Sequence, residues 1–161
     1  MNIELKGVMM EDFVNYKKPS MFLIMPYCTF KCGEDVCQNS DLAKQKASRM
    51  SIESLVKQYL ENPITKAVVF GGMEPFCTFY SMYCFISYFR TYSNDDIVIY
   101  TGYYPDEIKE YLNWLKDFDN IIIKFGRYIP NENPHYDEVL GVELASNNQY
   151  AVKLTNDNAL I

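Results

Sequence analysis

Residues 21–37 read MFLIMPYCTFKCGEDVC, an apolar run followed directly by a loop that carries three cysteines. These are Cys28, Cys32 and Cys37, and the sequence near them offers no obvious fourth ligand. Three thiolates can hold three irons of a [4Fe-4S] cluster and leave the fourth iron open to a substrate or cofactor. The loop therefore predicts an iron–sulfur centre with one open corner, which favours catalysis over simple electron storage.

Three other interpretations of the cysteine loop are weaker. A structural zinc site is usually closed by four ligands, and the only histidine of the chain, His135, lies far downstream. A disulfide framework is disfavoured because the five cysteines are an odd number and the chain begins without a secretory pattern. Unrelated buried thiols are common in protein cores, but residues 31–35, KCGED, make this loop polar.

Length and composition predict one soluble, compact domain over residues 1–161. A chain of 161 residues with 48% hydrophobic content can build a single good core. No apolar run approaches the length that crosses a bilayer, so we expect no membrane contact. The net charge of −6 argues against a nucleic-acid partner, which would need a basic surface. Clustered thiols indicate a reducing, cytoplasmic setting.

The chain repeats a unit of buried strand, loop and helix. Strands are predicted at 21–27, 67–70, 97–100 and 121–125, and helices at 52–60, about 78–92 and about 105–118. Ser51 can cap the first helix, and Pro105 suits the first turn of the last one. Continuous apolar strands that alternate with helices predict an α/β fold in which a parallel sheet is covered on its faces.

Unusual residues follow the end of each predicted strand. The cysteine loop follows the first, Gly71-Gly72-Met73-Glu74-Pro75 the second, Thr101-Gly102-Tyr103 the third and Gly126-Arg127-Tyr128 the fourth. In a parallel α/β sheet or a partial barrel, the carboxyl ends of the strands share one edge, where ligands bind. We therefore expect these four segments to form one site.

Several of these residues also have ordinary explanations. Gly71 and Gly72 form either a flexible turn or a close backbone approach to a ligand. Lys124 is either a ligand contact or a lysine whose charged end reaches solvent. Cys77 and Cys84 are seven residues apart on a predicted helix, and this spacing favours core packing on one face.

The combination of Cys28-x3-Cys32-x4-Cys37 with residues 71–75, GGMEP, resembles the radical S-adenosylmethionine superfamily. The segments YTGY at 100–103, FGRYIP at 125–130 and SNNQ at 146–149 resemble, more narrowly, the activating proteins of anaerobic class III ribonucleotide reductases. The resemblance runs from about Phe22 to Leu154 and implies a core at about 20–154. It implies a partial (β/α) barrel of mostly parallel strands.

Two departures from the superfamily pattern place the chain in a divergent branch. The usual spacing is C-x3-C-x2-C, so this loop has two extra residues before Cys37. The usual Gly-Gly-Glu/Asp-Pro run carries an inserted Met73 here. Neither change removes a functional group, although the cysteine loop must make a wider turn.

The resemblance implies a [4Fe-4S] cluster held by Cys28, Cys32 and Cys37, and S-adenosylmethionine bound at its open iron. Reduction of the cofactor gives a 5′-deoxyadenosyl radical, which removes hydrogen from a backbone glycine of a large partner enzyme. In this chain the implied cofactor-binding residues are Gly71, Gly72, Met73, Glu74, Pro75, Thr101, Gly102 and Lys124. Thr101 and Lys124 are the expected contacts to ribose or carboxylate.

The short chain favours a protein substrate, because cluster and cofactor already occupy nearly the whole predicted fold. We expect a large glycyl radical enzyme as partner and a flavodoxin or ferredoxin as electron donor. Two interpretations remain open for a set of tyrosines and the segment near them: they form either a docking rim for the partner or an ordinary tyrosine-rich surface. These are Tyr103, Tyr104, Tyr128, Tyr136 and residues 129–136. The alternatives are a small-molecule radical enzyme of nucleotide metabolism and a zinc- or cluster-binding interaction module without catalysis.

Overall fold

A computed structural model describes residues 1–31, 33 and 39–157 of the chain. Cys32 and Cys37, two of the three predicted cluster ligands, lie outside the described residues. The described part contains ten strands, four α-helices and two short 3₁₀ helices. None of the helices in this part is long and apolar enough to cross a membrane.

The elements have the following bounds. The strands are β1 (Asn2–Leu5), β2 (Gly7–Asp12), β3 (Ser20–Met25), β4 (Ser48–Ser51), β5 (Ala67–Gly72), β6 (Asp96–Tyr100), β7 (Ile121–Phe125), β8 (His135–Asp137), β9 (Val142–Leu144) and β10 (Tyr150–Lys153). The α-helices are α1 (Ser40–Ala43), α2 (Ile52–Glu61), α3 (Phe79–Arg90) and α4 (Lys109–Leu115). The 3₁₀ helices are Pro75–Thr78 and Pro105–Glu107.

Six strands form the main sheet in the order β10-β7-β6-β5-β3-β2. Its four central strands, β3, β5, β6 and β7, are parallel to one another. The edge strand β2 is antiparallel to β3, and the edge strand β10 is antiparallel to β7. Parallel neighbours need crossover connections, which here contain α2, α3 and α4. The architecture is thus mixed α/β, and β2 and β10 are the two edge strands of the main sheet. The partial barrel stays a prediction.

The strand residues divide between the two faces of the sheet with the period of two that a pleated strand imposes. Val68, Phe70, Ile97 and Ile99 pack with the helices in the larger core. Ala67, Val69, Val98 and Ile122 point to the opposite face, where they pack against Tyr16, Leu140 and Leu144. Helices therefore cover one face, whereas the segment around Tyr16 and the β8–β9 hairpin cover the other.

The predicted helices are present, with two adjustments. α2 begins after Ser51, whose Oγ accepts a hydrogen bond from Ser54 N at 3.1 Å, so the predicted cap is confirmed. The segments predicted at about 78–92 and 105–118 are each preceded or begun by a 3₁₀ turn with proline at its start. Proline has no N–H donor and fixes φ, which suits the first turn of such a segment.

Candidate functional site

A cavity of about 520 Å³ lies at the carboxyl ends of the parallel strands. It brings together residues that the sequence placed in four separate segments. Of the predicted site residues, those that line it are Cys28, Gly71, Gly72, Met73, Glu74, Thr101, Gly102 and Lys124. Pro75 does not line the cavity and instead begins the 3₁₀ helix Pro75–Thr78, where its ring is buried.

Cys28 is the one predicted cluster ligand within the described residues. It follows β3 at the cavity wall, and its Sγ accepts a hydrogen bond from Phe30 N at 3.2 Å. Phe30 has a positive φ of 54°, so the backbone turns two residues after the cysteine. Among the described residues no group of three His, Cys, Asp or Glu side chains converges on a metal site, and the predicted set with Cys32 and Cys37 lies partly outside them.

The two glycines are part of β5, so the interpretation as a flexible turn is wrong. Gly71 and Gly72 pair with Ile24 and Met25 of β3. A Cβ on Gly71 would lie 2.8 Å from Phe22 Cε2, and one on Gly72 would lie 2.6 Å from Ile24 Cγ2. Gly72 also has φ of +82°, which other residues rarely adopt. The bare backbone therefore reaches the cavity wall because β3 packs too closely for side chains.

The carboxylate of Glu74 is buried, and both of its oxygens accept hydrogen bonds from the chain. It accepts hydrogen bonds from Phe76 N at 3.1 Å, Thr101 Oγ1 at 2.8 Å and Gly102 N at 2.9 Å. Burial raises the pKa of Glu74, although these donors and the nearby Lys124 oppose that shift. Glu74 thus joins the end of β5 to the end of β6 and fixes the position of the Thr101-Gly102 turn.

The hydroxyl of Thr101 has partners on both sides. It donates to Glu74 and accepts from Tyr103 N at 3.0 Å. Thr101 is 1% exposed, so its hydroxyl serves chiefly to hold the turn. Met73 is also buried at the cavity wall, and its N–H donates to Met25 O at 3.3 Å, which places the inserted residue against β3.

Lys124 is buried rather than directed to solvent, so the solvent-reaching interpretation is wrong. Its side chain is 6% exposed, and Nζ donates to Gly126 O at 3.0 Å. Burial lowers the pKa of Lys124 to about 8, while the charge of Glu74 opposes that shift. An ammonium group has three N–H donors, so Lys124 retains donors for an anionic group in the cavity.

Sequence reasoning missed a charged bridge at the cavity mouth. Glu107 Oε1 accepts a hydrogen bond from Lys31 Nζ at 3.3 Å and another from Arg127 Nη2. Lys31 Nζ also lies 4.8 Å from the centre of the Tyr103 ring. The bridge ties the cysteine loop to the loops after β6 and β7. Its members are far apart in sequence, and no local pattern could have paired them.

Sequence reasoning also assigned no role to Gln149 and Asn39. Gln149 is buried at the cavity wall, and its Nε2 donates to Gly126 O at 3.3 Å. The segment at 146–149 entered the resemblance, but the resemblance assigned it no function. Asn39 Nδ2 donates to Gly72 O at 2.7 Å, which holds the far end of the cysteine loop against β5.

The tyrosines of the predicted docking rim have different surroundings. Tyr103 and Tyr128 line the cavity, and Tyr104 OH accepts a hydrogen bond from Asn148 Nδ2 at 2.8 Å. Tyr136 lies on β8 with 64% of its surface exposed. The structure thus places two of these rings at the cavity, one beside it and one on the hairpin.

Cys77 and Cys84 do not share one environment, so the prediction of core packing is wrong for Cys77. Cys77 lies in the 3₁₀ helix and is exposed, whereas Cys84 lies in α3 and is half-buried against the larger core. Pro75 starts a 3₁₀ segment ahead of α3, so the α-helical spacing that would align the two thiols does not extend to Cys77.

The comparisons with known proteins identify the type of domain. Neither the curated proteins nor the solved structures contain a significant match. The model of the 4Fe-4S single cluster domain family matches residues 19–150, well over half of the chain. The matched range includes Cys28, Cys32, Cys37 and every strand end that forms the cavity. The chain belongs to the 4Fe-4S single cluster domain family.

Proposed function

We propose that this chain is a radical S-adenosylmethionine activating enzyme that generates a glycyl radical on a partner protein, the anaerobic ribonucleoside-triphosphate reductase. Membership of the 4Fe-4S single cluster domain family supports the cluster. The observation that carries the rest is the one cavity that Cys28 shares with Gly71, Gly72 and Lys124.

The groups at the cavity suit a thiolate-bound cluster beside a small zwitterionic cofactor. Cys28, together with Cys32 and Cys37, would hold the cluster by three corners. When bound, the cluster would supply one electron to the sulfonium carbon–sulfur bond of S-adenosylmethionine, the chemistry that yields a 5′-deoxyadenosyl radical. The bare backbone of Gly71 and Gly72 presents peptide groups to the cofactor's amino group.

The charged residues of the cavity have separate tasks in this proposal. Lys124 binds the cofactor's carboxylate through the N–H donors that Gly126 leaves available. Glu74 is a positioning residue, because its oxygens already accept three hydrogen bonds from the chain itself. Thr101 and Gly102 are held by Glu74 as the wall beside the ribose, and Met73 adds an apolar surface next to them.

A protein substrate fits a cavity that opens at the surface and has an aromatic rim. Tyr103 and Tyr128 line this cavity, and the hairpin that carries the exposed Tyr136 contributes β9 to its wall. We propose that a glycine-bearing loop of the partner enters here, and that a flavodoxin or ferredoxin of the cytoplasm supplies the electron.

The test is anaerobic reconstitution with iron and sulfide, reduction, and addition of S-adenosylmethionine. We expect 5′-deoxyadenosine to form, and a glycyl radical signal to appear by electron paramagnetic resonance when the reductase is added. Cys28→Ser abolishes both signals, whereas Cys84→Ser, a matched change in the half-buried thiol of α3, retains them.

Three outcomes would contradict the proposal. Cluster-loaded wild-type protein that forms no 5′-deoxyadenosine would remove the enzymatic role. Metal analysis of anaerobically purified protein that finds one zinc and no sulfide would replace it with a structural metal module. Rapid turnover of a nucleotide without any protein partner would instead indicate a small-molecule radical enzyme.

A further inference from the structure

The strand β9 runs along the cavity by its edge. Four successive residues line the cavity wall, Val142, Glu143, Leu144 and Ala145. Side chains of a strand alternate between two faces, so four residues in a row border one cavity only where the cavity meets the strand's edge. None of the residues of β8, which occupies the other side of β9, lines this cavity.

This edge has no partner strand in the described part of the chain. β9 pairs with β8 in a two-stranded sheet. No backbone hydrogen bond joins residues 142–145 to a described residue outside the hairpin. An open edge presents N–H and C=O groups in the spacing that an extended peptide matches.

The charges around the cavity favour a basic occupant at this edge. Charged residues lining the cavity are Lys31, Glu74, Lys124, Arg127 and Glu143. Glu74 and Lys124 are buried near each other, and Lys31 and Arg127 share Glu107. Glu143 is exposed and has no ion-pair partner among the described residues. Its carboxylate is thus the charge at the cavity that an incoming lysine or arginine can neutralise.

The neighbours of Glu143 would support the same segment through apolar contacts. Tyr136 is the cross-strand partner of Glu143 and is 64% exposed. Val14, on the loop after β2, lines the cavity and is 74% exposed. Exposed side chains with apolar surface near an open strand edge provide the contacts that strand addition uses for specificity.

We propose that β9 is the docking strand for the protein substrate: an extended segment of the partner adds to the open edge of β9 and places a basic side chain against Glu143. The strand is three residues long, so pairing extends over about 10 Å. The inference rests on the proposed function, because it gives the mode in which the glycine-bearing partner enters the cavity.

The first arm of the test measures peptide binding by fluorescence anisotropy, using anaerobic, cluster-loaded protein. The probe is a labelled nine-residue peptide with a central glycine among alternating valine and lysine residues. Two analogues carry N-methyl groups on alternate backbone nitrogens, one in each register. Because only one set of N–H groups faces β9, we expect one analogue to lose about tenfold in affinity and the other to bind like the parent.

The second arm tests Glu143. We expect Glu143→Gln to weaken binding of the lysine peptide by about threefold to tenfold and to leave a matched glutamine peptide unchanged. The control is Glu138→Gln, which removes an exposed carboxylate from the same hairpin but away from the cavity wall.

Equal binding of both N-methylated analogues, or no saturable binding at millimolar peptide, would overturn the proposal. So would a Glu143→Gln variant that self-associates with unchanged peptide affinity, because Glu143 would then serve only to protect the edge from aggregation. Formation of 5′-deoxyadenosine in the absence of peptide is measured with the same protein samples. If 5′-deoxyadenosine forms but the peptide does not bind, only the docking strand is refuted. If no 5′-deoxyadenosine forms, the proposed function is refuted.

Discussion

The chemistry of the site depends on a few residues whose contacts in the folded chain cannot be inferred from the residues next to them in sequence. Lys124 lies within an apolar strand, IIIKF, and the sequence left open whether its ammonium reaches solvent. Three-dimensional packing settles this, because the side chain is buried near Glu74 and bonded to Gly126. Burial depends on what covers a strand. Gln149, far away in sequence, donates to the same Gly126 carbonyl as Lys124, and no local pattern indicates that contact.

The first residue-scale prediction concerns the pH dependence of Lys124. Its pKa falls from an ordinary 10.5 to about 8 in the folded chain. Between those values the unfolded chain binds a proton that the folded chain has lost, so rising pH favours the folded state. We expect the free energy of unfolding of wild type, relative to Lys124→Met, to increase between pH 7 and pH 10 in urea titrations.

The control for this trend is Lys109→Met, which changes an exposed lysine of α4. If the stability of wild type relative to Lys124→Met is constant over this pH range, folding does not lower the pKa of Lys124, and the prediction is contradicted.

The second residue-scale prediction concerns the paired glycines. Gly72→Ala places a Cβ 2.6 Å from Ile24 Cγ2 at a residue with φ of +82°, so we expect a loss of about 2–3 kcal/mol in unfolding free energy. Gly102→Ala is the matched control, because its Cβ would meet Glu74 Oε2 at 3.7 Å, an ordinary contact. Equal urea midpoints for the two variants would contradict this description of β5.

At the scale of elements, the sequence predicted the parts whose pattern is continuous and local. The apolar runs that form β5, β6 and β7 and the capped amphipathic helix α2 lie where they were expected. The strands β1, β2, β4, β8, β9 and β10 were missed. Five of them are segments of three or four residues with mixed polarity, which carry no periodic signal, and β2, GVMMED, has no regular alternation of apolar and polar residues. β9 is among them, and so the cavity wall that it forms was missed too.

The element-scale prediction concerns the charged bridge between the cysteine loop and the strand-end loops. Glu107→Gln removes the carboxylate that Lys31 and Arg127 share. We expect a cost below about 1 kcal/mol, because the members are partly exposed, but faster amide hydrogen exchange at Thr29 and Lys31.

Glu110→Gln, an exposed carboxylate on α4, is the control and should leave this exchange unchanged. Unchanged exchange in Glu107→Gln as well would show that the bridge does not hold the loop.

At the scale of the whole molecule, the alternation of strands and helices predicts a sheet whose strand ends share one edge, and seven of the eight implied cofactor-binding residues line one cavity there with Cys28. The covering of the second face was not predictable in the same way. It is made by the β8–β9 hairpin and the region around Tyr16, which are irregular segments whose contacts with Val69 and Val98 are all long-range.

The central claim is that the cluster keeps one iron open for the cofactor, and electron–nuclear double resonance of the reduced cluster tests it most directly. S-adenosylmethionine labelled with ¹⁵N at its amino group is added to anaerobically reconstituted protein. We predict a ¹⁵N coupling to the cluster that is absent with unlabelled cofactor. A cluster that shows no such coupling, because a fourth side chain occupies the last iron, would contradict the claim.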